Sequence, residues 1–154
     1  MRCEFIAIGT ELLLGQIVNS NAAWLGEQLA LAGIDCLYHV TIGDNGQRMQ
    51  DTIQQALDRS DAVIVSGGLG PTQDDITREV IADVMQVGLT RDDEIADIIR
   101  HRFESRGRVM SENNLRQADI PDGGFAIPQM PGTAPGLICP VGNKVIYAVP
   151  GLSL

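Results

Sequence analysis

Aromatic residues are scarce in this chain, with one Trp, two Tyr and three Phe. Its core must therefore be packed with aliphatic side chains. Basic residues are also few, 11 against 20 acidic ones, and the formal net charge is −9. No basic cluster is available to neutralise a nucleic-acid backbone, which argues against DNA or RNA as partner. The one arginine-rich stretch, "RHRFESRGR" (Arg100–Arg108), is interleaved with Glu104 and is expected to be a solvated helix end. Cysteine pairs are missing as well. Cys3, Cys36 and Cys139 are far apart, and no two have the short spacing of a zinc knuckle or redox motif. Cys3 and Cys36 lie in apolar runs and are expected to be small buried residues. His39 and His101 are isolated and are expected to be structural. The N-terminal apolar run is too short for a signal peptide and Glu4 interrupts it. No run is long enough to cross a membrane. The expected location is the cytoplasm.

What is present is an alternation of strand and helix. "CEFIAIG" (Cys3–Gly9) predicts a buried strand. Asn19–Gly33 predicts a helix, with Asn19, Ser20 or Asn21 as cap and Trp24 as core or subunit contact. A strand over Ile34–Gly43 and a helix over Gln47–Arg59 follow, then a short apolar strand, Asp61–Gly68. Further helices are expected over about Gln73–Met85 and Asp92–Ser105. This order implies a parallel sheet covered on both faces. After Met110, prolines and glycines become frequent. Two apolar runs flanking "GN" (Gly142–Asn143) predict a hairpin and so an antiparallel edge. The length suits a single domain over residues 1–154. Its last residues, "VPGLSL", are either a closing tail or the front of a longer protein.

In a parallel sheet, ligands bind beyond the carboxyl ends of the strands. Three stretches should gather there: "GTELLLGQIVNSN", "IGDNGQ" and "SGGLGPTQDD". Each has glycine and at least one carboxylate. Gly67, Gly68 and Gly70 let backbone N–H groups approach a ligand closely. Thr72 is a candidate N-cap, and with Asp75 it forms a T-x-x-D capping signature worth about 0.3–1 kcal/mol. Asp74 stands four residues before Arg78, the order of an exposed helical ion pair, and Asp75 four before Glu79. Such readings explain each acid singly. They do not explain acids and glycines together at one mouth, with Glu11 and Asp44 beside them. A divalent cation joins the two: magnesium links one or two carboxylates to a substrate phosphate. The loop is not a Walker sequence, since no Gly-Lys-Ser/Thr follows.

"IAIGTELLLGQIVNSNAAWL", "GDN", "VSGGLGPTQDDITRE", "RVMSENNLRQADIP" and "MPGTAPGL" together resemble the N-terminal domain of the CinA (competence/damage-inducible) family. That family sits within the wider molybdopterin-binding group of MoaB, MogA and the gephyrin G domain. The resemblance spans Phe5 to Gly151. It implies a three-layer α/β/α sandwich, with a mostly parallel sheet and an antiparallel edge. It also implies a loop that binds a phosphorylated pterin or nucleotide, with its chemically required aspartate at Asp75 and its threonine at Thr77. Asp74 falls where adenylyltransferase-like members often carry another residue. The CinA domain is associated with metal-dependent cleavage of ADP-ribose to AMP and ribose 5-phosphate. The amidase domain of full-length relatives is absent from this sequence.

The expected function is accordingly hydrolysis of the pyrophosphate of ADP-ribose or a related nucleotide with Mg2+, Mn2+ or Co2+. The alternatives are a molybdopterin-binding or adenylyl-transfer role, and a non-catalytic nucleotide-binding module. Asp75, Asp44 and Glu11 are the candidate catalytic and metal-binding residues. As alternatives, Asp75 is a helix-capping acid, Asp44 part of an ordinary turn and Glu11 a solvated loop acid. Gly67, Gly68, Gly70 and Thr72 are candidates for the phosphate. Asn19 and Asn21 are candidates for ribose or base, with N-capping as the alternative. The resemblance alone adds Arg116 and Gln117 as ligand contacts rather than residues of a surface helix. Gly132 and Thr133 either close over the ligand or make a tight turn. The partner is a phosphorylated small molecule, without nucleic acid or membrane, and the resemblance implies a homo-oligomer, with a dimer favoured.

Overall fold

The computed structural model describes residues 1–16, 18–127 and 134–151. Strand β1 (Arg2–Ile8) leads through a short helix α1 (Thr10–Leu13) to α2 (Ser20–Leu31). Then come β2 (Asp35–Ile42), α3 (Gly46–Arg59), β3 (Ala62–Ser66) and α4 (Thr77–Met85). A short strand β4 (Leu89–Arg91) precedes α5 (Asp93–Ser105), α6 (Glu112–Leu115) and a 3-10 turn, Arg116–Ala118. Strands β5 (Asp119–Pro121), β6 (Phe125–Ile127), β7 (Gly136–Val141) and β8 (Lys144–Val149) complete the described chain.

The main sheet has six strands in the order β2-β1-β3-β8-β7-β6. β2, β1, β3 and β8 run parallel. β7 pairs antiparallel with β8 on one side and with β6 on the other, so the expected hairpin exists as β7–β8, with Gly142 in the left-handed region at φ 61°. Its second strand enters the sheet directly beside β3.

Period-two alternation sends side chains to both faces of the central strands. Cys3, Ala62, Ile64, Val145 and Tyr147 pack with Leu29 of α2 on one face. Ile6, Ile8, Val63, Val65, Ile146 and Ala148 pack with α3 and α4 on the other. These are the three layers that the strand–helix alternation implies. The core is aliphatic, as the dearth of aromatics requires, with Phe5 the one buried aromatic ring among the described residues. In α3, Met49, Ile53, Ala56 and Leu57 recur at helical spacing, and Asn45 caps its start by accepting from the Arg48 N–H at 3.0 Å. Ala96, Ile99, Leu115 and Ala118 form a smaller core between α5 and the α6 turn.

Several expectations are corrected. Trp24 is 60 % exposed and is not a core residue. The helix expected from Gln73 begins at Thr77, because the preceding residues are held in a turn described below. β4 and β5 pair as a separate two-stranded sheet, too short for a sequence period to reveal. Gln117 is not a surface-helix residue: it is buried with Leu115 and Ala118, past a short helix that exposes Glu112 and Asn113. Cys36 is only half-buried. Glu4, which interrupts the first apolar run, is fully buried. Arg59 donates to both of its oxygens, at 2.8–3.0 Å, and Ser60 adds a hydroxyl at 2.5 Å. No described helix is long and apolar enough to cross a membrane.

Candidate functional site

The parallel order places the carboxyl ends of β1, β3 and β8 side by side. A pocket of about 410 Å3 opens there. Its floor is the end of β1 and β3, Ala7–Gly9 and Ser66–Gly68, and Pro150–Gly151 after β8 closes one side. Glu11, Asp44, Asp74 and Asp75 all line it, and among the described residues no Arg or Lys does. The three loops that sequence spacing brings to one mouth therefore do meet.

The loop after β3 is held from behind, at its carbonyl oxygens. The Thr77 hydroxyl donates to the Gly67 carbonyl at 2.7 Å, and the Thr77 N–H to the Gly68 carbonyl at 3.1 Å. Arg78 donates to the Leu69 carbonyl. Neither Thr77 nor Arg78 lines the pocket. In a trans peptide, C=O and the following N–H point opposite ways. Tying these three carbonyls to α4 therefore turns the N–H groups of Gly68, Leu69 and Gly70 toward the pocket, which those residues line. None of the three donates to an acceptor among the described residues. Successive N–H groups directed into a concavity form an anion cradle.

The loop can take this course only as glycine. Gly67 has φ 105°, and a Cβ there would stand 2.4 Å from the Ile8 carbonyl oxygen. Gly68 has φ 74°, and a Cβ there would stand 2.0 Å from the Thr77 hydroxyl oxygen.

Asp75 is not an N3 helix acid. Its Oδ2 accepts from the Thr72 N–H at 2.9 Å and from the Thr72 hydroxyl at 2.7 Å, while its own N–H donates to the Thr72 carbonyl at 3.1 Å. Thr72 thus serves Asp75 and caps no helix. Oδ1 of Asp75 accepts none of the described hydrogen bonds and is the oxygen available to a ligand. On the neighbouring loop, Asp44 accepts from the Thr10 hydroxyl at 3.3 Å. Among the described residues, no three acidic, His or Cys side chains are grouped closely enough to hold a metal by themselves. The donor set still fits magnesium, which takes one or two carboxylates and completes its shell with phosphate and water.

A family model described as "Probable molybdopterin binding domain" matches residues 4–153. A CinA-like protein of Frankia casuarinae is 48 % identical over 99 % of this chain, which covers 36 % of that relative. The crystal structure of CinA from Thermoplasma acidophilum, a protein of unknown function, superposes with a TM-score of 0.90 at 34 % identity, over 99 % of this chain and 90 % of that one. The chain belongs to the CinA family. A MoaB structure from Thermus thermophilus has a TM-score of 0.64 at 15 % identity, over 98 % of this chain and 81 % of that one, and shows the shared fold. The chain spans about a third of the length of the curated CinA-like relative it matches.

In this CinA-family domain, Gly67, Gly68, Gly70, Thr72, Asp75, Asp44, Glu11, Asn19 and Asn21 all line the pocket. Asn19 also caps α2, accepting from the Ala22 N–H at 3.2 Å. Thr77, Arg116 and Gln117 do not line it. Thr77 is fully buried and bonded to the loop. Arg116 donates to the carbonyls of Thr72 and Asp75 at 3.1 and 3.0 Å, and to Glu79 at 3.0 Å. It holds the loop from outside, where a phosphate contact was expected. Gln117 is buried. Gly132 and Thr133 lie outside the described residues.

Sequence reasoning missed Arg78. Four-residue spacing suggested a surface pair with Asp74, yet Arg78 is completely buried, and burial lowers its pKa to about 10. Ser66 and the Pro150–Gly151 turn were also missed. The signal for the latter was the Pro-Gly after the last apolar run, but only a β8 parallel to β3 carries it to the site.

Proposed function

We propose that the pocket binds a phosphorylated small molecule of the molybdopterin type, with its phosphate on the amides of Gly68, Leu69 and Gly70. The orientation of this loop carries the reading: its carbonyls are tied to α4 and its N–H groups line an otherwise acidic pocket. The match to a molybdopterin-binding family model supports the ligand class. Asp75, anchored by Thr72, presents Oδ1, and Asp44 and Glu11 stand on the facing loops. A divalent cation on these acids would offset the charge that the phosphate brings to them.

The four acids favour a second reading, hydrolysis of a pyrophosphate such as that of ADP-ribose. Binding one phosphate needs no more than the amide cradle and one or two metal-holding carboxylates. A further acid would then orient a water and take its proton.

The test is calorimetric titration of the chain with molybdopterin and with ADP-ribose, with and without magnesium, beside an assay of AMP release in Mg2+, Mn2+ or Co2+. Magnesium-dependent binding of molybdopterin, weakened at least about tenfold in Gly68→Ala, is expected. Binding of neither ligand, or binding untouched by Gly68→Ala, would overturn the proposal. AMP release from ADP-ribose would establish the hydrolytic reading.

A further inference from the structure

Three of the chain's 11 basic residues meet outside the acidic pocket. Arg102, Arg106 and Arg108 line a cleft of about 270 Å3 with Phe103, Asn114 and Pro71, and no acidic residue among the described ones lines it. Cations at the end of α5 have an ordinary explanation, since they complement the exposed carbonyls of a helix C-terminus. Here the backbone already serves two of those carbonyls, Phe103 and Glu104. The N–H groups of Arg106 and Arg108 donate to the Phe103 carbonyl at 3.2 and 3.0 Å, and that of Gly107 to the Glu104 carbonyl at 3.0 Å. Gly107, at φ 64°, makes this left-handed closure and folds Arg108 back beside the helix. In a chain of net charge −9, neither Arg106 nor Arg108 forms an ion pair among the described residues.

The cleft abuts the acidic pocket. Pro71 lines one, while its neighbours Gly70 and Thr72 line the other. Consecutive Cα atoms are about 3.8 Å apart, so a single thickness of chain separates them.

We propose that this cleft is a second anion site that takes an organic phosphate monoester. Arg106 and Arg108 hold the phosphate, as guanidinium forks match its oxygens. The organic part rests on Phe103 and Pro71. Asn114 donates its amide to Ser111 at 3.1 Å, which leaves its carbonyl oxygen to accept from a hydroxyl or a base N–H. The phosphate has two possible sources, the far end of a ligand already seated on the glycine loop or a separate phosphate ester.

The experiment is an amide NMR titration of the 154-residue chain with AMP and with adenosine 3′,5′-bisphosphate, whose two phosphates are separate monoesters, beside Arg106→Glu/Arg108→Glu. Both side chains are exposed, so the double variant keeps the fold. AMP is expected to shift the amides of Phe103, Arg106 and Arg108 saturably, and the variant to need at least about tenfold more AMP. If the bisphosphate moves cleft and loop amides along one isotherm at 1:1 stoichiometry, one ligand bridges both sites. If the bisphosphate moves cleft and loop amides along two independent isotherms, with two equivalents bound, the cleft serves a separate ester. Either result supports the site. No saturable shift in the cleft up to about 10 mM AMP, or the same isotherm in the variant, overturns it. The amides of Gly68, Leu69 and Gly70 report independently on the function proposed for the acidic pocket, so either proposal can fail alone.

Discussion

Asp75 holds its turn through one oxygen and, in the proposed function, offers the other to the cation, and substitution can divide the two. Oδ2 closes the turn with Thr72 by accepting two hydrogen bonds. A neutral amide can accept both through its own oxygen. Asp75→Asn should therefore keep the urea midpoint of the parent, within about 0.5 kcal/mol, because only a surface charge is lost. It should nonetheless lose magnesium-dependent ligand binding. Asp75→Ala should lose the turn as well, at a cost of about 1–3 kcal/mol. If Asp75→Asn binds ligand with magnesium as the parent does, its charge is not what the site uses.

At the scale of elements, the glycine loop depends on two helical segments that supply its donors. α4 contributes Thr77 and Arg78, and the turn after α6 contributes Arg116. Arg116 reaches two carbonyls and Glu79 with one planar group, a geometry that an ammonium does not reproduce. Arg116→Met should cost about 1–3 kcal/mol and weaken ligand binding without touching the ligand. Arg116→Lys should restore little of either. Denaturation and titration of the two variants check this. Full rescue by lysine would mean that only positive charge is needed at that position.

Across the whole molecule, the sheet carries a built-in alkaline weakness. Cys3 and Cys139 are buried on β1 and β7, and burial pushes both thiols up to about 11 from an ordinary value of 9.0. Between those values the unfolded chain releases protons that the folded chain keeps, so fewer protons are bound in the unfolded state and stability falls as pH rises. The contribution is complete below pH 9.0 and is lost as pH rises through about 11. By about pH 10.5 each thiol should remove roughly 2 kcal/mol relative to about pH 8. Urea midpoints at the two pH values should converge in Cys3→Ala/Cys139→Ala. An equal alkaline loss in that variant would place the weakness elsewhere.

The residues themselves determined much of this protein. The alternation of short apolar runs with helical periods determined a parallel, two-faced sheet, because side chains alternate every second residue in a strand and recur every third or fourth in a helix. Glycines and acids at the ends of the first three strands marked the pocket, because a parallel sheet brings such ends together. Direction was not legible in the same way. Asp74, Arg78, Asp75 and Thr72 have the spacing of helix caps and ion pairs, yet the helix starts at Thr77, and Arg78 turns inward to hold Leu69. Nor does spacing along the chain show that Arg116 would reach the carbonyls of Thr72 and Asp75, or that Gly107 would bring Arg108 beside Pro71. Periodicity records which face of an element is apolar. Which carbonyl a buried arginine meets is decided only when distant elements pack, because a buried polar group must take whatever partner the tertiary structure places within about 3 Å.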